Sequence, residues 1–157
     1  MTDSLSIGST VPDFTAEMTG DRPFRLSDYQ GKKVVLYFYP KDSTPGCTTE
    51  AMQFRDLYQQ FQQAGTEIFG ISRDGMGSHD NFKSKLELPF ELISDPEEKV
   101  CSLFDVMKVK NMYGKKVRGV ERSTFVIDAG GRLVKEWRGV KVPGHIDEVL
   151  EAVQALA

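Results

Sequence analysis

Apolar and polar positions along this chain follow two alternating periods. Residues 32–40, KKVVLYFYP, form a continuous β-branched and aromatic run between Gly31 and Pro40. That is the pattern of a strand covered on both faces, expected to be the central one. After Pro45, residues Phe54, Leu57, Tyr58 and Phe61 recur at helical spacing with polar residues between them, and Gly65 supplies the stop. TEIFGISRD reads as a second apolar strand. HDNFKSKLEL reads as a short helix ended by Pro89, and ELIS as a third strand. Asp95, Pro96 and Glu98 then occupy the N-cap, N1 and N3 positions of a helix whose buried stripe is Val100, Leu103, Phe104 and Met107. STFVID and RLVKEWRG form a hairpin through Ala129, Gly130 and Gly131. An amphipathic helix through Ile146, Val149, Leu150 and Val153 follows. The order predicts an α/β sandwich, a mixed sheet with helices on both faces in which a βαβ unit precedes ββα. Residues 1–30 are weakly patterned and are expected to decorate that core.

Composition narrows the functional classes. The chain has 157 residues, 39% hydrophobic and 27% charged, enough for one self-sufficient core, so a single domain over 1–157 is expected. The net charge of −3 advertises neither a nucleic-acid nor an anionic-membrane partner. The longest apolar stretch, Val34–Tyr39, falls far short of a membrane span, and the first residues show no secretory signal, so a cytoplasmic location is expected. Two cysteines, Cys47 and Cys101, cannot make a disulfide scaffold, which leaves thiol chemistry or burial as their meanings.

The chemistry concentrates in PKDSTPGCTTE, residues 40–50, between the first apolar strand and the helix after it. Active sites of α/β sheets favour the carboxyl ends of strands. Thr44 suits the N-cap, Pro45 N1 and Gly46 N2, which puts Cys47 at N3. There, unsatisfied backbone amides and the positive end of the helix dipole favour the thiolate, the nucleophilic form.

Pro40, Thr44 and Cys47 match a PxxxTxxC pattern, and TTE follows it. With VPDF, LSDYQGK, YFYPKDSTPGCTTEA, SDPE, RSTFVID and VPGH, the chain resembles the peroxiredoxins along almost its whole length, most of all the bacterioferritin comigratory protein or peroxiredoxin Q branch. The resemblance implies a thioredoxin-like fold and a thiol peroxidase without cofactor or metal, reducing hydrogen peroxide and organic hydroperoxides through a sulfenic acid on Cys47. It assigns Thr44 a hydroxyl donor, Gly46 and Cys47 backbone donors for the peroxide, Pro40 a shield over the sulfur, and Arg122 a guanidinium that serves both sulfur and peroxide. Glu50 has two readings, as a residue orienting that arginine and as an ordinary first-turn acid.

The chain departs from the branch where a resolving cysteine is commonly found: position 52 is Met, and HDNFKSKLEL holds no cysteine. Cys101 alone could replace it, and burial is the favoured reading, which makes a one-cysteine enzyme. Reduction would then fall to thioredoxin or a small-thiol or glutaredoxin-type donor, with the protein a monomer or weak homodimer. The alternatives are a peroxide sensor that passes oxidation to a partner thiol without turnover, and a two-cysteine enzyme resolved by Cys101. No CxxC supports a disulfide reductase. His79 and His145 lack zinc spacing, and His145, at the start of the last helix, is expected to have a capping or surface role rather than to form a dyad with Cys47.

Overall fold

The computed structural model describes residues 5–156. Strands β1 (Thr15–Met18) and β2 (Phe24–Arg25) precede a 3-10 turn at Leu26–Tyr29, and β3 (Lys33–Phe38) follows. Helices α1 (Pro45–Asp56) and α2 (Tyr58–Gln63) lead to β4 (Thr66–Ser72), α3 (Met76–Leu86) and β5 (Glu91–Ser94). Then come α4 (Lys99–Leu103), the hairpin β6 (Met107–Met112) and β7 (Lys115–Val120), β8 (Ser123–Ile127), β9 (Leu133–Arg138) and α5 (His145–Ala155). Seven strands form one mixed sheet in the order β2-β1-β5-β4-β3-β8-β9, and β6 and β7 form a separate ribbon. No described helix is long and apolar enough to cross a membrane.

The pleat of β3 divides the core. Val34, Leu36 and Phe38 enter one cluster with Phe24, Phe104, Phe125 and Cys101, whereas Val35, Tyr37 and Tyr39 enter the other with Cys47, Phe54, Phe61, Phe82 and Val149. Successive strand side chains point to opposite faces, so an uninterrupted apolar run is what a strand between two cores requires. Helices α1, α2, α3 and α5 cover the second cluster, and α4 with the N-terminal pieces covers the first.

The structure corrects several expectations. The middle strand is β4, with β3 beside it. Residues before 30 do more than decorate: β1 pairs antiparallel with β5 and extends the sheet. The helix after Pro45 is interrupted at Leu57, whose ψ of 4° turns the chain between α1 and α2. The helix expected from Asp95 begins only at Lys99, because Glu98 adopts a left-handed φ of 62° that no helix interior allows. Asp95 still caps it from outside, accepting the amides of Val100 at 3.2 Å and Cys101 at 2.8 Å. Met107 belongs to β6 rather than to that helix.

Candidate active site

The stripe that seats α1 runs through Cys47, Glu50, Ala51 and Phe54, at i, i+3, i+4 and i+7, one turn further back than the apolar residues alone reveal. Cys47 is 1% exposed and sits at N3. The turn's first helical bond runs from the Thr48 amide to the Thr44 carbonyl at 2.9 Å. Among the described residues no protein acceptor engages the amides of Gly46 and Cys47, so this exposed end of the helix offers two donors beside a buried sulfur. Thr44 takes the N-cap position, but its hydroxyl does not cap. It donates to the Lys41 carbonyl at 2.8 Å and closes the loop that follows β3. Ser43 in that loop has a φ of 63°, a conformation costing a non-glycine residue about 1 kcal/mol. Pro40 is exposed at the start of the loop.

Antiparallel pairing of β8 with β3, with Ser123 opposite Phe38, carries Arg122 to the carboxyl end of β3. There its guanidinium forks. Nη1 donates to Glu50 Oε1 at 2.5 Å, and Nη2 donates to Cys47 Sγ at 3.5 Å. A Cβ on residue 46 would stand 3.1 Å from Nη2, so glycine is what lets the guanidinium lie along the helix end. Glu50 is fully buried with Oε2 unpartnered, and burial raises its pKa to about 7 against the opposing pull of Arg122. Tyr37 stacks on Phe54 at 4.5 Å. Its buried hydroxyl also lacks a partner and is kept protonated by burial, then by Glu50 and Cys47. Gly70 makes room for that ring, since a Cβ there would stand 2.7 Å from it.

Cys47, Glu50 and Arg122 are thus brought together, with Gly46 and Thr44 on the same turn. Cys101 is not among them. It is 0% exposed in the core cluster on the opposite face of the sheet, and both cysteines are free thiols. Burial, and then the Asp95 carboxylate, push the Cys101 thiol far above its ordinary range. His145 differs from the surface or capping role expected: it is 5% exposed, its Nε2 lies 2.8 Å from Thr124 Oγ1, and burial lowers its pKa.

Sequence reasoning missed a second polar cluster behind the loop. Asp42 accepts from the Tyr39 hydroxyl at 2.6 Å and the Ser78 hydroxyl at 2.8 Å, and lies 2.7 Å from His79 Nδ1. Asp42 lies inside the segment that carries the chemistry, and a histidine ten residues before Pro89 was the other signal. Asp42, Asp74 and His79 present ligand atoms within 4.8 Å of one another. Hydrogen bonds from Tyr39, Ser78, Ser72 and the Asp42 amide already engage the two carboxylates.

The model of the AhpC/TSA family matches residues 7–136. Peroxiredoxin Bcp of Bacillus subtilis is 49% identical over 156 residues, covering 98% of each chain. Peroxiredoxin Bcp of Xanthomonas campestris is 49% identical over 158 residues, covering 100% of this chain and 99% of the relative. Among solved structures, the Xanthomonas campestris Bacterioferritin Comigratory Protein, studied for alkyl peroxide reduction, aligns with a TM-score of 0.89 at 47% identity over 98% of both chains. A Xylella fastidiosa PrxQ mutant aligns with a TM-score of 0.92 at 44% identity, again over 98% of both. The seven-stranded sheet and its helices are the thioredoxin-like architecture of such peroxiredoxins. The chain therefore belongs to the AhpC/TSA family and is a thiol-dependent peroxidase, a peroxiredoxin that reduces peroxides at the expense of a thiol.

Proposed function

We propose that Cys47 is the nucleophile and that the enzyme works with this one cysteine. The observation that carries the reading is the fork of Arg122, which holds the Cys47 sulfur with one nitrogen and the buried Glu50 with the other. The thiolate attacks one oxygen of a hydroperoxide, the S–O bond forms as O–O breaks, and the departing oxygen takes a proton to leave as water or an alcohol. Negative charge moves from sulfur to that oxygen. The guanidinium and the two free amides of α1 face both ends of this displacement, and donors fixed before reaction need no reorganisation. Thr44 contributes a hydroxyl that can turn from the Lys41 carbonyl toward peroxide, and Pro40 walls the loop.

The sulfenic acid is reduced by an external thiol, thioredoxin or a small-thiol or glutaredoxin-type donor, which forms a mixed disulfide with release of water and is displaced by a second thiol. Supporting this are Met52 where the resolving residue would stand and the sheet between Cys47 and Cys101. Hydrogen peroxide and organic hydroperoxides are the substrates. We further take residues 1–157 as one domain, with two clusters sharing one sheet, acting as a monomer or weak homodimer. Two free thiols fit the reducing cytoplasm. The test is intact mass after one equivalent of peroxide. Gain of one oxygen confined to the Cys47 peptide is expected, loss of two hydrogens would establish an internal disulfide instead, and a single turnover with every thiol donor would establish a sensor.

A further inference from the structure

The loop that joins β3 to α1 is held by a buried contact between a histidine and a carboxylate which the reaction as described does not use. His79, in the first turns of α3, is 0% exposed, with Nδ1 2.7 Å from Asp42 Oδ2 and Nε2 2.9 Å from the Ile93 carbonyl. The carbonyl can only accept, so Nε2 carries a proton. Asp42 already takes hydroxyl donors on both oxygens, Tyr39 on Oδ1 and Ser78 on Oδ2. A carboxylate so surrounded accepts rather than donates, so Nδ1 carries a proton as well. Burial works against the ionised form of Asp42, but the hydrogen bonds from His79, Tyr39 and Ser78 prevail and lower its pKa. Burial, with Tyr37 and Asp42, keeps the Tyr39 hydroxyl protonated as a donor. Around the pair, the Asp42 amide donates to Asp74 Oδ2 at 2.9 Å, and the Ser72 hydroxyl donates to the same oxygen at 2.5 Å. Through Asp42 the loop is tied to Tyr39 just beyond β3, to Ser78 and His79 of α3 and to Asp74 just beyond β4, while the bonds to Ile93 and Ser72 hold His79 and Asp74 in turn. The loop includes Ser43 in its left-handed conformation, and a strained turn persists only where its surroundings over-determine it.

We infer that His79 is a positioning residue for peroxide reduction: as a buried imidazolium paired with Asp42 it fixes the 40–44 loop, and so the placement of Thr44 and the first turn of α1 around Cys47. The inference rests on the proposed role of Cys47. A buried cation is costly unless paired, and this one, on α3, is paired with a carboxylate of the site's own loop.

Two measurements test it. In the wild-type protein, nitrogen-15 spectra of the histidine rings should show both nitrogens of His79 protonated, with His145 assigned by its persistence in His79→Gln. A ring with one bare nitrogen overturns the inference without requiring any variant to fold. In His79→Gln, with folding checked by near-ultraviolet circular dichroism, the second-order oxidation of Cys47 by hydrogen peroxide should slow about ten-fold, since small misplacements of reacting groups carry penalties of this order. Reduction of the sulfenic acid by dithiothreitol should keep its rate. Oxidation at the wild-type rate in the folded variant, or equal slowing of both half-reactions, overturns the inference. Should His79→Gln fail to fold, Ser78→Ala removes one bond to Asp42 and should slow oxidation two- to five-fold, and an unchanged rate overturns it. Failure of the Cys47 reading has a separate signature, peroxide consumption surviving Cys47→Ser, which leaves the ring spectra as they are.

Discussion

Cys47 and Cys101 occupy the same local position in this fold and end in opposite electrostatic surroundings. Each is the third residue of a helix, each is buried, at 1% and 0% exposure, and each helix points its positive end at a cysteine. By the rule that helix N-termini favour thiolates, the two would be alike. Their partners separate them. The Cys47 sulfur meets a guanidinium, whereas the Cys101 thiol meets the Asp95 carboxylate, which also consumes the amides of Val100 and Cys101 that would have served an anion. Burial then acts on each according to its neighbour. Beside a cation, a buried sulfur can be a charged nucleophile, but beside a carboxylate it stays a neutral thiol.

Removing the sulfur breaks the comparison most completely. Cys47→Ser is expected to abolish peroxide consumption in a coupled thiol assay, because a hydroxyl is hardly ionised at neutral pH. Retained turnover would transfer the chemistry elsewhere. Removing the partner comes next. Arg122→Ala should lower the second-order rate with hydrogen peroxide roughly 10²-fold, about 3 kcal/mol, the effect typical of one donor to developing charge. Arg122→Lys should fall between, since a point charge can satisfy Glu50 but cannot fork to the sulfur. Equal rates for the three proteins would leave the helix end as the sole source of reactivity.

How far these two surroundings could be read from the chain differs for a physical reason. The strand KKVVLYFYP and the cysteine at N3 are local patterns, and the structure has both. ELIS coincides with β5 residue for residue. Arg122 stands 75 positions from Cys47 and is brought to it by the pairing of β8 with β3, so only the resemblance to peroxiredoxins pointed to it. The bond between His79 and Asp42 spans 37 residues and had no such guide. The β6–β7 hairpin escaped for another reason. Its alternation carries no burial signal, with Val109 62% and Val117 44% exposed, and its turn uses Tyr113 at a φ of 53° where glycine or asparagine is usual. Around Asp95 the sequence suggested the right capping residue and the wrong start, because the reach to residues five and six positions ahead depends on the left-handed Glu98.

The partner of the arginine is itself titratable, which sharpens the contrast. Burial raises Glu50 from 4.5 to about 7, so the folded protein binds a proton between these values that the unfolded chain does not. Stability from this group is therefore fully present below pH 4.5 and is lost as pH rises through about 7. Urea unfolding from pH 4.5 to 7.5 should show wild type losing about 3 kcal/mol relative to Glu50→Gln, whose amide does not titrate. Parallel profiles would mean that Arg122 holds Glu50 ionised throughout.

A smaller effect comes from discharging the other site. In a Cys47→Ser background, Asp95→Asn removes the anion beside Cys101, and the thiol should ionise at lower pH, read from thiolate absorbance during titration. The amide can still accept from the helix amides, so stability should fall by only about 1 kcal/mol. An unshifted titration would assign the suppression of Cys101 to burial alone.

The smallest effect is expected at Cys101 itself. Cys101→Ser places a hydroxyl where Asp95 can accept its proton, so the loss of stability should stay near 1 kcal/mol. Turnover with a small thiol or thioredoxin should be unchanged, because the sheet lies between Cys101 and the oxidised sulfur. For Cys101 to resolve the sulfenic acid, its Cα would have to come within about 7 Å of that of Cys47, and the seated ends of both α1 and α4 would have to open. Non-reducing peptide mapping after stoichiometric peroxide distinguishes the cases. A near-complete bridge between the two cysteines, together with loss of thioredoxin-supported turnover in Cys101→Ser, would turn the quiet cysteine into the second half of the mechanism. An oxygen retained on Cys47 with full turnover in the variant would instead leave Cys101 as packing, made inert by the carboxylate that caps its own helix.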